Sequence, residues 1–165
     1  MTDDIDAELA GIGKEMDKDA EIERIRSVFS LDAYAVLDLQ PGVPESDIKK
    51  VYRAKSLLIH PDKTKNELAP DAFDRLKKAQ TVLLDEKLRA ELDENIADAR
   101  MLLMREKKLT ADDEETRGEE FAKEWRQKVI WVIRDNEMRK QRQMKAAMRE
   151  EEEEEGQGSG LNVSQ

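Results

Sequence analysis

The sequence predicts an all-α protein. Apolar residues recur at three- and four-residue steps in successive segments, the signature of helices with one buried stripe. Turn signals such as Gln40-Pro41-Gly42 and helix-opening prolines separate these segments. Of the 165 residues, 41% are charged and 38% hydrophobic, which supports one small core surrounded by exposed helices.

Residues 1–31 read as a helical lead. Ile5, Leu9, Ile12 and Met16 form a first stripe, which Gly11 and Gly13 weaken by about 1 kcal/mol each relative to Ala. Ile22, Ile25, Val28 and Phe29 form a firmer second one, expected to pack near the domain that follows. A partner-seeking role for the lead and a plain scaffolding role stand even at this level. Beyond the turn at Gln40, Pro44 suits the first position of a helix in which Ile48, Val51, Tyr52, Leu58 and Ile59 share a face. Lys49, Lys50 and Arg53 occupy its other side, which is solvated and positive. Pro70 and Asp71 open the next helix, striped by Phe73, Leu76, Gln80, Leu83 and Leu84. The two helices can close as an antiparallel hairpin whose exposed tip runs from His60 to about Glu67.

Residues 94–155 read as a charged helical extension broken near 109–118. Ile96, Met101, Leu103 and Met104 continue a helix until Leu109-Thr110-Ala111-Asp112 stops it. From Glu119 a stripe of Phe121, Trp125, Val129, Val132 and Ile133 resumes, able to close an intramolecular contact or a dimer. Trp131 lies off that line; Trp125 and Trp131 are the candidate partner-binding residues, Trp131 as an exposed anchor. Arg139, Lys140, Arg142, Lys145 and Arg149 then make the helix basic, with Met138, Met144 and Met148 between them. The run Glu150 to Glu155 would repel phosphate, so a solvated, charge-patterned helix is the better description than a nucleic-acid grip. Gly156 to Gln165, rich in Gly and Ser, reads as a disordered tail.

The residue inventory argues against an enzyme. With one His and no Cys, a Cys/His nucleophilic pair or a thiolate metal site has no residues to build it. No glycine-rich phosphate loop is present, and Asp112-Asp113-Glu114-Glu115 lacks the alternating ligands and central Gly of a calcium loop. No catalytic residue, cofactor or metal is expected. The acidic start Met1-Thr2-Asp3-Asp4 is unlike a secretory signal, and the longest apolar run, Val129 to Ile133, is far too short to span a bilayer.

The central residues resemble a family. His60-Pro61-Asp62, at the end of a basic amphipathic helix and followed by Lys63, is similar to the signature loop of the J-domain, the DnaJ-like module of co-chaperones for heat-shock protein 70. Taken alone, the His could be a helix cap, the Pro an ordinary stop and the lysines mere solvated surface. The match follows the family order from Asp32 to Asp93. Asp32 to Leu37 is similar to the short first helix with Asp32 as N-cap, Ile48 to Ile59 to the second, Ala72 to Asp85 to the third, and Lys87 to Asp93 to the short fourth. The resemblance implies that the module has no active site, and that it docks on the chaperone and accelerates ATP hydrolysis there. Carried over by position, Lys49, Lys50, Tyr52 and Arg53 would dock on acidic chaperone surface, Asp62 would be the trigger, and His60, Pro61 and Lys63 would complete the loop. No Cys-rich zinc module or Gly/Phe-rich segment is seen, which is similar to the third class of J-proteins.

Three positions depart from the pattern. Lys55 stands where the family places a buried Leu, and Gln80 where Tyr is common, each costing packing unless the Lys stem snorkels or the Gln finds a partner. Ala54 thins the basic face. The wider layout, with a lead ending in Glu21-Ile22-Glu23-Arg24-Ile25, then the J-domain, an acidic linker and a Trp-containing helix turning basic, resembles the spliceosome-associated subfamily C J-proteins. That likeness implies a nuclear protein with spliceosomal partners, a cytosolic client-specific J-protein being the alternative, and the short apolar runs predict no membrane partner. The basic stretch is shorter than in that subgroup, which leaves direct RNA contact open.

Overall fold

The computed structural model describes Glu15 and residues 17–160. The expected first stripe, Ile5, Leu9, Ile12 and Met16, lies outside the described residues, as do residues 161–165 of the expected tail. Among the described residues all regular structure is helical: α1 (17–27), α2 (Ala33–Leu37), α3 (Glu45–Leu58), α4 (Ala69–Leu84), α5 (Glu86–Lys107), a 3₁₀ turn (Glu114–Arg117) and α6 (Glu119–Gly160). The chain divides into two compact units, residues 1–97 and 98–165.

In the first unit each helix starts and stops for a readable reason. Asp32 caps α2, its carboxylate accepting from the Ala35 amide at 3.3 Å. Burial raises the Asp32 carboxyl above its ordinary value, and the amides of Ala35 and Tyr34 partly offset that. Asp38, at φ 55°, ends α2 in the left-handed conformation, where its amide bonds the Ala35 carbonyl. Gly42 takes φ 91° in the Pro41-Gly42 turn, a value that excludes most side chains. Pro44 is the extended residue before α3 rather than its first helical residue, its carbonyl accepting from Asp47 and Ile48. Pro70 sits in the first turn of α4, where no amide donor is needed.

The core of this unit holds Ile22 and Ile25 of α1, Tyr34, Val36 and Leu37 of α2, Ile48 and Ile59, and Leu76 and Leu83 of α4. The buried face of α4 is Ala69, Ala72, Leu76, Ala79 and Leu83. Sequence spacing put Phe73, Gln80 and Leu84 on that stripe; all three are half-buried, displaced by alanines small enough to bring α2 and α3 close to the α4 backbone. Gln80 therefore carries no burial cost of the kind expected. Tyr34 donates its hydroxyl to Asp93 and accepts from Arg89 Nε at 3.0 Å, which ties α2 to the start of α5. Burial, then the Asp93 carboxylate, raises the Tyr34 phenol above its ordinary range.

The second unit is a helical hairpin. Lys107 pairs with Glu124 at 2.9 Å and Lys128 with Glu106 at 2.5 Å, so the end of α5 and the beginning of α6 run antiparallel across the 108–118 connection. Ala99, Leu103, Phe121, Val129, Val132 and Ile133 are buried. The hydrogen bonds that Lys107 donates to the Glu124 and Glu115 carboxylates, outweighing desolvation, raise its ammonium above the ordinary value. The helix of α6 continues through Gly156 to Gly160, beyond the point where the sequence places the start of a disordered tail. The glutamate run is a good helix former, and glycine at a helix end costs only about 1 kcal/mol per residue.

Candidate functional site

Helix α3 ends at Leu58, and residues 59–68 lead to α4. The turn is closed by the Lys63 amide, which donates to the His60 carbonyl at 2.8 Å. His60 is held on both sides: its ring meets Phe73 edge-on at 5.4 Å, and its Nδ1 accepts from the Asp62 amide at 3.1 Å. Phe73, expected in the core, thus serves as the platform for His60. The Asp62 side chain is 89% exposed, with one carboxylate oxygen 3.6 Å from His60 Nδ1. Pro61 fixes φ between them, so a rigid turn displays Asp62 outward.

Lys49, Lys50 and Arg53 are all exposed on α3, and Lys63 is exposed in the loop. Lys49 reaches Glu45 at 3.7 Å one turn earlier, a pair both of whose ends are largely solvated. Tyr52 is half-buried on the same helix. The sequence-named residues are thus gathered on one helix and the loop that follows it. Trp125 and Trp131 belong to the other unit. Trp125 is half-buried, with the Arg100 guanidinium 5.8 Å from its ring centre and Phe121 at 6.3 Å. Trp131 is 55% exposed, with Lys128 Nζ 5.2 Å from its ring centre and Met101 lining the same shallow groove.

Helix α1 carries what sequence reasoning missed. Lys55 donates to Glu21 Oε1 at 2.8 Å, and Arg24 forks onto the same carboxylate while also donating to the carbonyls of Ala35 and Val36 at 2.8 and 2.7 Å. The Lys55 side chain is 20% and Glu21 15% exposed. Burial pushes the Glu21 carboxyl up, and Arg24 and Lys55 more than offset it, leaving it below its ordinary value. The lysine that breaks the apolar stripe of α3 is therefore matched by a carboxylate from the preceding segment. Further along, Lys18 Nζ donates to the Lys63 carbonyl at 3.2 Å and Asn66 donates to Asp19 at 2.9 Å. The available signal was the misfit Lys55 itself, which required an acidic partner somewhere in the chain.

No membrane-length apolar helix and no cluster of metal-ligating side chains is present among the described residues. A basic helix, a His-Pro-Asp turn and a second helix returning against the first make up this site. The family model described as the DnaJ domain matches residues 32–93. Residues 32–93 of this chain are therefore a J-domain.

Among its relatives is the J domain-containing protein spf31 of Schizosaccharomyces pombe, 47% identical over 107 residues, covering 64% of this chain and 51% of the relative. Human DnaJ homolog subfamily C member 8 is 39% identical over 72 residues, 40% of this chain and 28% of the relative. Chaperone protein dnaJ 49 of Arabidopsis thaliana is 33% identical over 94 residues, 56% of this chain and 27% of the relative. The chain therefore spans about half the length, or less, of these relatives. No solved structure gives a significant match.

Proposed function

We propose that residues 32–93 dock on a heat-shock protein 70 chaperone and stimulate its ATP hydrolysis, without chemistry of their own. The observation that carries this reading is Asp62: a carboxylate 89% exposed at the tip of a closed turn, held beside an exposed basic helix face. Lys49, Lys50, Arg53 and Lys63 supply charge for steering and register, and Tyr52 supplies contact area. The resulting complex is weak and salt-sensitive, as a turnover cycle requires. Single-turnover ATP hydrolysis by the purified chaperone tests this, with the full chain added as wild type or as Asp62→Asn. Stimulation that the substitution removes by at least about tenfold is expected; equal rates with and without folded wild-type chain would leave a docking module without stimulation.

The flanking helices would supply targeting to a nuclear ribonucleoprotein in pre-mRNA splicing. The supports are the layout shared with the spliceosome-associated subgroup and the likeness to human DnaJ homolog subfamily C member 8. Exclusion of the tagged full chain from the nucleus would replace this with the cytosolic, client-specific reading.

A further inference from the structure

We propose that α1, outside the J-domain bounds, is a strut that sets the presentation of Asp62, with Lys18 and Asp19 as its positioning residues. The proposal rests on the chaperone-docking reading above. Because the Asp62 side chain is so exposed, its direction is set by the loop backbone rather than by side-chain packing. The loop is held from outside at three places, two through side chains and one through backbone. His60 stacks edge-on against Phe73; the Lys63 carbonyl, one residue past Asp62, accepts from Lys18 Nζ; and the Asn66 side chain donates to Asp19. Asn66 passes the constraint on, since its amide oxygen accepts from the Leu68 amide at 2.9 Å, at the start of α4.

Two of the three anchors thus come from α1. The helix can bear that role because it is itself fixed: Ile22 and Ile25 are buried, Glu21 binds Lys55, and Arg26 pairs with Asp71 at 2.9 Å. Hydrogen bonds from Arg26, outweighing slight burial, hold the Asp71 carboxyl below its ordinary value. A loop ordered before docking gives up less entropy on docking. Docking through the basic face of α3 does not need the loop; triggering does. Loss of the strut should therefore lower the fraction of docked complexes in which Asp62 is correctly presented.

The test uses the full chain with Lys18→Ala/Asp19→Ala, with Asp19→Asn as a conservative variant that keeps an acceptor for Asn66. Maximal ATPase stimulation should fall about two- to tenfold, the population range that one or two partly exposed hydrogen bonds control. The concentration giving half-maximal stimulation should stay at the wild-type value, and Asp19→Asn should behave as wild type. A merely structural role would do the reverse, raising the half-maximal concentration through loss of folded protein while leaving the maximum intact. Amide hydrogen exchange at Asp62, Lys63 and Asn66 should rise by the same two- to tenfold, with Ile22 and Ile25 amides unchanged. If the double variant loosens α1 as a whole, Asp19→Ala alone, at an exposed position, repeats the measurement. Unchanged loop exchange overturns the strut. Faster loop exchange in a protein whose wild type gives no stimulation upholds the strut and overturns the docking reading instead.

Discussion

Replacing Glu21 with Ala removes one carboxylate and leaves two cations facing each other across the junction of α1 with the J-domain. Lys55 loses its partner, and Arg24 keeps only the carbonyls of Ala35 and Val36 among the acceptors described above. Breaking a fully buried pair costs about 3–5 kcal/mol, and an exposed pair about 0–1 kcal/mol. With Glu21, Lys55 and Arg24 at 15%, 20% and 26% side-chain exposure, the site falls between these limits. Glu21→Ala should cost about 2 kcal/mol. Lys55→Leu, which restores an apolar residue to the stripe and leaves Arg24 on Glu21, should stay within about 1 kcal/mol of wild type. The double variant should then be less destabilised than the sum, by about 1 kcal/mol.

The choice of assay follows from where the chromophores lie. Both tryptophans of the chain, Trp125 and Trp131, belong to the second unit, so tryptophan emission is blind to the first. Urea unfolding is therefore followed through amide cross-peaks of α3 and α4. The pH dependence supplies a second check. The folded-state pKa of Glu21 lies below its ordinary value of 4.5, so its contribution is fully present above that value and is lost as pH falls through the folded one. The gap between wild type and Glu21→Gln should accordingly close in that acidic range. An additive double-mutant cycle, or a Glu21→Ala cost below about 0.5 kcal/mol, would refute the argument that this pair joins α1 to the domain.

Ile25 is fully buried, and Ile25→Ala should destabilise the first unit by about 2–5 kcal/mol in the same urea titration. No change there would mean that the cooperative domain begins at Asp32, without α1. In the second unit, Phe121→Ala should cost about 3–5 kcal/mol, read from tryptophan emission, because the ring is 1% exposed. Trp131→Ala should cost no more than about 1 kcal/mol, since the contact with Lys128 lies at the surface; a larger loss would make Trp131 a core residue of the hairpin.

Local features of this fold are legible in the sequence, and long-range ones are less so. The Asp32 cap, the Pro41-Gly42 turn and the signature tripeptide each depend on neighbours a few residues away, so one sequence suffices to read them. The buried face of α4 departs from the spacing because spacing arguments weight large apolar residues, whereas Ala69, Ala72 and Ala79 are buried for their small size. The braces on the loop were invisible for another reason: Lys18 and Lys63, or Asp19 and Asn66, are 45 and 47 residues apart, and no spacing rule connects them. Only the mismatch at Lys55 pointed to a distant partner, Glu21, 34 residues away.

The charge distribution makes one more consequence follow from the docking reading. The chain carries a net charge of −10, yet the face proposed to meet an acidic chaperone surface is basic. The two effects act over different ranges. At about 0.01 M salt the screening length is roughly 30 Å, so a partner senses the repulsive net charge before it senses Lys49, Lys50, Arg53 and Lys63. At about 0.1 M it is roughly 10 Å, short enough to hide distant carboxylates while the facing patches still attract. Higher salt then screens the patches as well. Association should therefore be fastest at intermediate ionic strength, measured by stopped-flow mixing of labelled full chain with the chaperone. A rate that falls steadily from the lowest salt upward would mean that the local basic face dominates at every distance, and that the acidic remainder of the chain has no part in the encounter.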